Sequence, residues 1–156
     1  HTAGKVSRYC GEYDTAHAFL TDALAIRGGR QKPSMDVAAT LHELGVLMIK
    51  RGVWSEAQVL LEESLSMKRT ISNNDQANID NDKKECAPSS AARFSEEAAT
   101  LHQLAVVAMN GKPRRLSKAE ELLREALVVM KKGPFGVGGR AATLSKLAQV
   151  LERWYV

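Results

Sequence analysis

The chain has 156 residues, of which 44% are hydrophobic and 5% aromatic, and its formal net charge at pH 7 is +4. This length can bury a core, and so small a positive charge does not indicate a nucleic-acid-binding protein. No apolar run approaches the roughly 20 residues of a membrane span, and the segment HTAGKVSRYC lacks the apolar centre of a signal peptide. The two cysteines of the chain, Cys10 and Cys86, lie in dissimilar sequence contexts, which favours a reduced intracellular protein. The chain does not begin with Met, and we expect it to be a piece of a longer protein.

Apolar residues recur three and four positions apart along most of the chain, which is the periodicity of an amphipathic helix. In chain order the helical segments are HTAGKVSRY, YDTAHAFLTDALAI, AATLHELGVLMI, WSEAQVLLEESLSM, AATLHQLAVVAM, LSKAEELLREALVVM and AATLSKLAQVL. No segment shows a convincing strand pattern. The sequence therefore predicts an all-α fold.

These segments repeat with a fixed period. Gly4 and Gly45 are 41 residues apart, and so are Ala16 and Ala57. The three copies of AATL are 60 and 43 residues apart, which the same period explains with insertions of 19 and 2 residues. A helical period of this length predicts a solenoid of stacked helix pairs.

The turns carry matching helix signals. Ser55 and Ser117 each precede a Gln or Glu by three residues, which predicts a capping box at the start of each second helix. Asp14 holds the equivalent place, and Gly52 is predicted to end a first helix in a left-handed conformation. The segment RRLS also makes Ser117 a candidate for phosphorylation by a basophilic kinase.

A family resemblance rests on one set of small and apolar residues. They are Leu41, Leu44, Gly45, Gly52, Trp54, Ala57, Leu61 and Ser64. In this pattern the chain resembles the tetratricopeptide repeat, and its long period looks like that of kinesin light chains and nephrocystin-type proteins. The resemblance implies a right-handed helical solenoid of antiparallel helix pairs.

The aligned repeats divide the chain into a single fragment with five parts. We expect the end of repeat 1 at 1–28, repeat 2 at 36–70, a flexible insertion at 71–95, repeat 3 at 96–132 and the first helix of repeat 4 at 140–156. The insertion is rich in Asn, Asp and Ser and lacks apolar periodicity, so it is predicted to be mobile.

The resemblance also implies a binding groove, because first helices in such repeats line a concave surface. Residues at i, i+4, i+7 and i+8 share that helical face. The predicted groove residues are Lys5, Arg8, His42, Val46, Ile49, Lys50, His102, Val106, Met109, Ser145 and Gln149. Such a stripe, basic at one end and apolar in its middle, would suit a peptide with an apolar anchor and acidic residues. The alternative is that these positions are merely solvated helix faces.

The function predicted from these observations is a protein–protein interaction module, an adaptor or scaffold. The alternative is an architectural segment of a large cytoskeletal or ciliary assembly, contacted through its ends and convex face. Expected partners are a protein or peptide and neighbouring repeats of a longer parent chain, with no membrane and no nucleic acid. The expected location is the cytoplasm, and more narrowly the cytoskeleton or cilium.

Catalytic and metal chemistry find little support in the sequence. His42 and His102 share a repeat position, but a metal site needs three or four ligands, and HELGV lacks the second His of a zinc-protease motif. GPFGVGGR has Gly-Arg where a phosphate-binding loop has Lys-Ser or Lys-Thr. We therefore predict no enzyme, no metal and no cofactor.

Overall fold

A computed structural model describes residues 12–27, 33–77, 90–132 and 137–154 of the protein. Over these ranges the secondary structure consists of six α-helices and no strand. The helices are α1 (Tyr13–Ile26), α2 (Met35–Arg51), α3 (Trp54–Ala77), α4 (Ser90–Asn110), α5 (Leu116–Lys131) and α6 (Val137–Trp154). The predicted all-α fold class is confirmed.

The chain divides into two compact units, His1–Ile71 and Ser72–Val156. The first unit contains α1, α2 and most of α3, and the second contains α4, α5 and α6. Within the first unit α1 packs against α2, and within the second α5 packs against both α4 and α6. Each unit has its own apolar core, centred on Leu41 and Leu61 in the first and on Leu101 and Leu123 in the second.

Helices α2 and α3 approach each other closely because Gly45 has no side chain. A Cβ added at Gly45 would lie 2.6 Å from Cγ of Leu61, which is inside van der Waals contact. Further along, Ser64 Oγ donates a buried hydrogen bond of 2.6 Å to the carbonyl oxygen of Ala38. Contacts from 45 to 61 and from 38 to 64 run in opposite directions along the two helices, so the pair is antiparallel.

The turn between α2 and α3 ends the first helix as predicted. Gly52 has φ 77° and ψ 13°, the left-handed conformation that glycine adopts without a Cβ penalty. Its N–H donates to the Ile49 carbonyl, and the N–H of Val53 donates to that of Met48. This pair of bonds is the Schellman arrangement, which satisfies two carbonyls at the helix end.

Polar side chains tie α1 to α2. Arg27 Nη1 donates to Thr40 Oγ1 at 2.6 Å and to the Asp36 carbonyl oxygen at 3.1 Å. At the other end of the pair, Arg51 Nη2 and Asp14 Oδ1 form an ion pair of 2.6 Å. Asp14 therefore serves as an ion-pair partner in the first turn of α1.

The second helices begin earlier than the sequence predicted. Ala57 N–H donates to the Val53 carbonyl, and Ala119 N–H donates to the Arg115 carbonyl, so both helices have begun before Ser55 and Ser117. The residue before α5 makes no side-chain cap. The predicted capping boxes at Ser55 and Ser117 are therefore wrong.

Helices α1, α3 and α5 each have a buried alanine in the first turn. Ala16, Ala57 and Ala119 are each fully buried, and each donates its N–H to the carbonyl four residues earlier. In α3 and α5 the serine two residues before this alanine therefore falls inside the first turn. A true serine cap occurs on α2, where Ser34 Oγ accepts a 3.1 Å bond from Val37 N–H.

The helices extend beyond the repeat boundaries predicted from the sequence. Helix α3 runs seven residues into the predicted insertion, to Ala77, and α4 begins at Ser90, within its last part. The remainder of the insertion, 78–89, lies outside the described residues, and so do residues 1–11 and 28 of the predicted end of repeat 1. Helix α6 begins at Val137, three residues before the predicted start of its segment.

Candidate functional site

The second unit contains a cavity of about 240 Å³. Its lining residues come from three helices: Ser95, Ala99, His102 and Gln103 of α4, Met130 of α5, and Gly139, Ala142 and Thr143 of α6. We call it the His102 cavity.

Helical spacing explains why these residues meet. The four residues of α4 stand at i, i+4, i+7 and i+8, and those of α6 at i, i+3 and i+4, so each set occupies one face of its helix. Three of the lining residues, Ala99, Gly139 and Ala142, have a small side chain or none. The space that larger side chains would fill between α4 and α6 is therefore left open to a ligand.

A threonine of α6 and the histidine of α4 meet across this cavity. Thr143 Oγ1 lies 3.4 Å from His102 Nδ1, at the long end of the range for a hydrogen bond. The Thr143 hydroxyl has one hydrogen, and its shortest acceptor is the Gly139 carbonyl oxygen at 3.1 Å. With that hydrogen on the Gly139 carbonyl, the contact to His102 is a hydrogen bond in the tautomer of His102 that carries its hydrogen on Nδ1.

The cavity is electrically neutral at its centre. Burial lowers the pKa of the His102 imidazole below its usual value of 6.5, and the positive charge of Lys146 lowers it further. His102 is therefore uncharged at neutral pH. An uncharged imidazole beside Ala99, Ala142 and Met130 makes an environment suited to an apolar group with at most one hydrogen-bonding atom.

The predicted groove residues of the first unit lie on α2. Val46 is buried with 8% of its surface exposed, whereas His42 and Ile49 are half-buried and Lys50 is exposed. A ligand could therefore reach Lys50 and parts of His42 and Ile49. Lys5 and Arg8 lie outside the described residues.

The predicted groove residues of the second unit differ widely in exposure. Met109 is in the core with 2% of its surface exposed, and Val106 is half-buried. Ser145 and Gln149 of α6 are exposed, and Gln149 Oε1 accepts a 3.1 Å bond from Lys146 Nζ. Among the predicted groove residues that the structure describes, only His102 lines the cavity.

Several cavity residues were not predicted from the sequence. Ser95 and Ala99 precede His102 by seven and three positions, so the helical face on which they lie could have been found by extending the spacing used for the groove. Thr143 belongs to the third AATL copy, and its match to Thr40 and Thr100 was visible. No local pattern signals Met130, because its position depends on how α5 crosses its neighbours.

In the described parts of the chain, no cluster of three or more His, Cys, Asp or Glu residues could hold a metal ion. None of the helices described is both long and apolar enough to span a membrane.

Comparison with known proteins supports one family. Residues 37–78, which cover most of α2 and all of α3, match the family model of the tetratricopeptide repeat. No curated protein matches the chain. Tetratricopeptide repeats are non-enzymatic modules that generally mediate protein–protein interactions. The match covers 42 of the 156 residues, and together with the paired helices it is consistent with a tetratricopeptide-type helical repeat fold.

Proposed function

We propose that this protein is an adaptor or scaffold module that presents a concave groove to a peptide or helix of a partner protein. The observation that carries this proposal is the His102 cavity, which opens between α4 and α6. These helices are the first helices of successive repeats in the sequence alignment. A cavity between first helices is where a groove-bound peptide would insert a side chain.

The inserted side chain is apolar. Ala99, Ala142 and Met130 offer apolar surface, and neutral His102 provides no charge to pair with an acid. Burying an unpaired carboxylate or ammonium in such a cavity would cost several kcal/mol, on the order of its desolvation. Partner acids would instead pair with exposed Lys50 and, by the sequence prediction, with Lys5 and Arg8.

The finer assignments are also proposals. The long repeat suggests a protein of the kinesin light chain or nephrocystin type, acting in the cytoplasm at the cytoskeleton or cilium. Neighbouring repeats of a longer parent chain would be further partners. We propose no enzymatic activity, cofactor, metal or nucleic acid.

A second candidate function is architectural: a segment of a large cytoskeletal or ciliary assembly held by its end and convex faces. The observation that favours it is the exposure of Leu144 on α6, with 53% of its surface accessible. Groove substitutions would leave such a role intact, whereas substitutions on that face of α6 would not.

A displayed random-peptide library tests the groove directly. We expect peptides selected on the protein to share an apolar residue, and a consensus peptide to lose binding at least tenfold when Ala142→Phe fills the cavity. Ala18→Phe is the matched control, since it adds the same bulk at an exposed alanine of α1, away from the cavity. Lys50→Glu should slow association of peptides with acidic residues and reduce its salt dependence. Equal binding to the Ala142→Phe and Ala18→Phe variants would reject the cavity as the anchor site.

A further inference from the structure

The turn between α4 and α5 and the first residues of α5 carry four basic residues and no acid, in the segment KPRRLSK, 112–118. These basic side chains are exposed, and so is Ser117. Arg114 and Arg115 stand three and two residues before that serine. Basophilic serine kinases bind arginines at these two positions through carboxylates of their substrate cleft, which accept charge-assisted hydrogen bonds from the guanidinium groups. The segment therefore has both the recognition residues and an exposed hydroxyl.

Ser55 in the first unit provides a structural match to Ser117. Each serine is exposed, is the second residue of its helix and precedes a fully buried alanine by two positions. In each turn, the residue two before the serine donates its N–H to a carbonyl near the end of the preceding helix at 2.9 Å. The carbonyl of that same residue accepts from the N–H of the buried alanine, at 3.1 Å in α3 and 3.0 Å in α5. The backbone therefore holds the two serines in the same way.

The two serines differ in the charge around them. Gly52 and Val53 stand where Ser117 has its two arginines. The residue after Ser55 is an acid, Glu56, and the residue after Ser117 is a lysine. An acidic kinase cleft would attract the segment at Ser117 and would repel Glu56. The flanking residues, and not the local fold, distinguish the two serines as kinase substrates.

A kinase binds its substrate segment in an extended form, so the first turn of α5 has to unwind for Ser117 to react. The first N–H groups of a helix have no acceptor within it, and the first helical bond of α5 is that of Ala119. Such helix ends open readily. Ser72 is the contrasting case, because it is half-buried and lies within α3 together with Arg69, three residues before it. Extending the chain from Arg69 to the end of α3 would unwind more than two turns.

We propose that Ser117 is a phosphorylation site for a basophilic serine kinase, and that its phosphate strengthens the start of α5. The kinase transfers the γ-phosphoryl group of ATP to Ser117 Oγ. The bond from the γ-phosphorus to the oxygen of ADP breaks, a bond from that phosphorus to Oγ forms, and the hydroxyl proton passes to a carboxylate base of the kinase. The site depends on neither the groove nor the His102 cavity.

The effect of the phosphate on α5 follows from where the serine lies. A phosphoserine carries a charge of about −1.5 to −2 at pH 7, and its oxygens can accept from the N–H groups of the first turn. The positive end of the helix dipole and the four cations of KPRRLSK favour that charge. Phosphorylation should therefore stabilise α5, and the gain should become smaller as salt screens the charges.

The full 156-residue chain is incubated with ATP, Mg²⁺ and the catalytic subunit of cyclic-AMP-dependent protein kinase, a basophilic serine kinase, and the modified residues are mapped by mass spectrometry. We expect phosphate on Ser117, and Ser117→Ala should abolish that signal while Ser55→Ala leaves its rate unchanged. Arg114→Ala should slow the reaction at Ser117 by at least about tenfold, because one charge pair with the cleft is lost. Arg124→Ala is the matched control, since it removes another exposed arginine of α5, and it should leave the rate unchanged.

Three results would overturn the kinase site. One is absence of phosphate on Ser117 of the folded chain under conditions in which the peptide KPRRLSKAE is phosphorylated, which would mean that the fold denies access. The second is reaction of Ser55 at the same rate as Ser117. The third is an Arg114→Ala variant that reacts as fast as the unchanged chain.

Thermal unfolding, followed by circular dichroism, tests the effect of the phosphate. We expect the midpoint of the phosphorylated chain to be higher by about 1–4 °C at low salt, with a smaller difference at high salt. The kinase-treated Ser117→Ala variant is the control, and its midpoint should not change on treatment. An unchanged or lower midpoint of the chain phosphorylated on Ser117 would overturn the stabilising role.

Discussion

The segment around Leu101 and the segment around Leu144 begin with the same four residues and have opposite surroundings. In α4 the first alanine and the leucine of AATL, Ala98 and Leu101, are fully buried, whereas in α6 the matching Ala141 is exposed and Leu144 has 53% of its surface accessible. The threonine of the motif is buried in both, and Thr100 and Thr143 each donate to the carbonyl four residues earlier. Identical local sequence therefore produces the same helix and the same internal hydrogen bond, while burial of the leucine depends on whether another helix packs on it.

The largest expected effect is a difference in stability between variants in which Leu101 or Leu144 is replaced by alanine. Leu101→Ala removes a fully buried side chain and should lower the free energy of unfolding by about 2–5 kcal/mol. Leu144→Ala should lower it by less than about 1 kcal/mol, because half of that side chain is already in water. Urea denaturation of both variants, which lie in the same unit, measures the difference. Equal losses would show that the face of α6 around Leu144 is covered in solution.

Adding a side chain at two helical glycines should also have different effects on stability, because one glycine is packed against another helix and the other is not. Gly45→Ala places a Cβ 2.6 Å from Leu61 Cγ, and should destabilise the protein by about 1–3 kcal/mol despite the better helix propensity of alanine. Gly139→Ala meets nothing within 4 Å and should stabilise α6 by up to about 1 kcal/mol. Midpoints of thermal unfolding should therefore move in opposite directions. Two shifts of the same sign would contradict the close approach of α2 and α3.

A buried hydroxyl should matter more than an exposed one. Ser64→Ala deletes the 2.6 Å bond that joins α3 to the Ala38 carbonyl of α2, and should cost about 1 kcal/mol or slightly more. Ser66→Ala, two residues on, removes an exposed hydroxyl that donates within its own helix, and should change stability by less than about 0.5 kcal/mol. Urea titrations of the two variants provide the comparison. If both changes are equally small, the inter-helix bond does not stabilise the pair.

The smallest expected effect is a pH dependence at His102. Its folded-state pKa is lowered by burial and by Lys146, so the unfolded chain binds a proton more readily than the folded chain does. Stability should be complete above the usual pKa of 6.5 and should decline as pH falls from there through the lowered pKa. His102→Gln should flatten the stability profile in that range. A steeper profile in the His102→Gln variant would contradict the direction of the shift.

The sequence by itself determined the helical class, the period of 41 residues, the left-handed end of α2 at Gly52 and the small residue at Gly45. These follow from local preferences and from repetition along the chain, which one sequence displays in full. The structure shows that α3 and α5 begin at Trp54 and Leu116, before the serines that the sequence offered as caps. It also placed Met109 in the core and brought Met130 to the cavity beside His102. The physical reason is that burial is a property of pairs of elements: Leu101 and Leu144 carry the same local signal, and only a packed neighbour removes one of them from water.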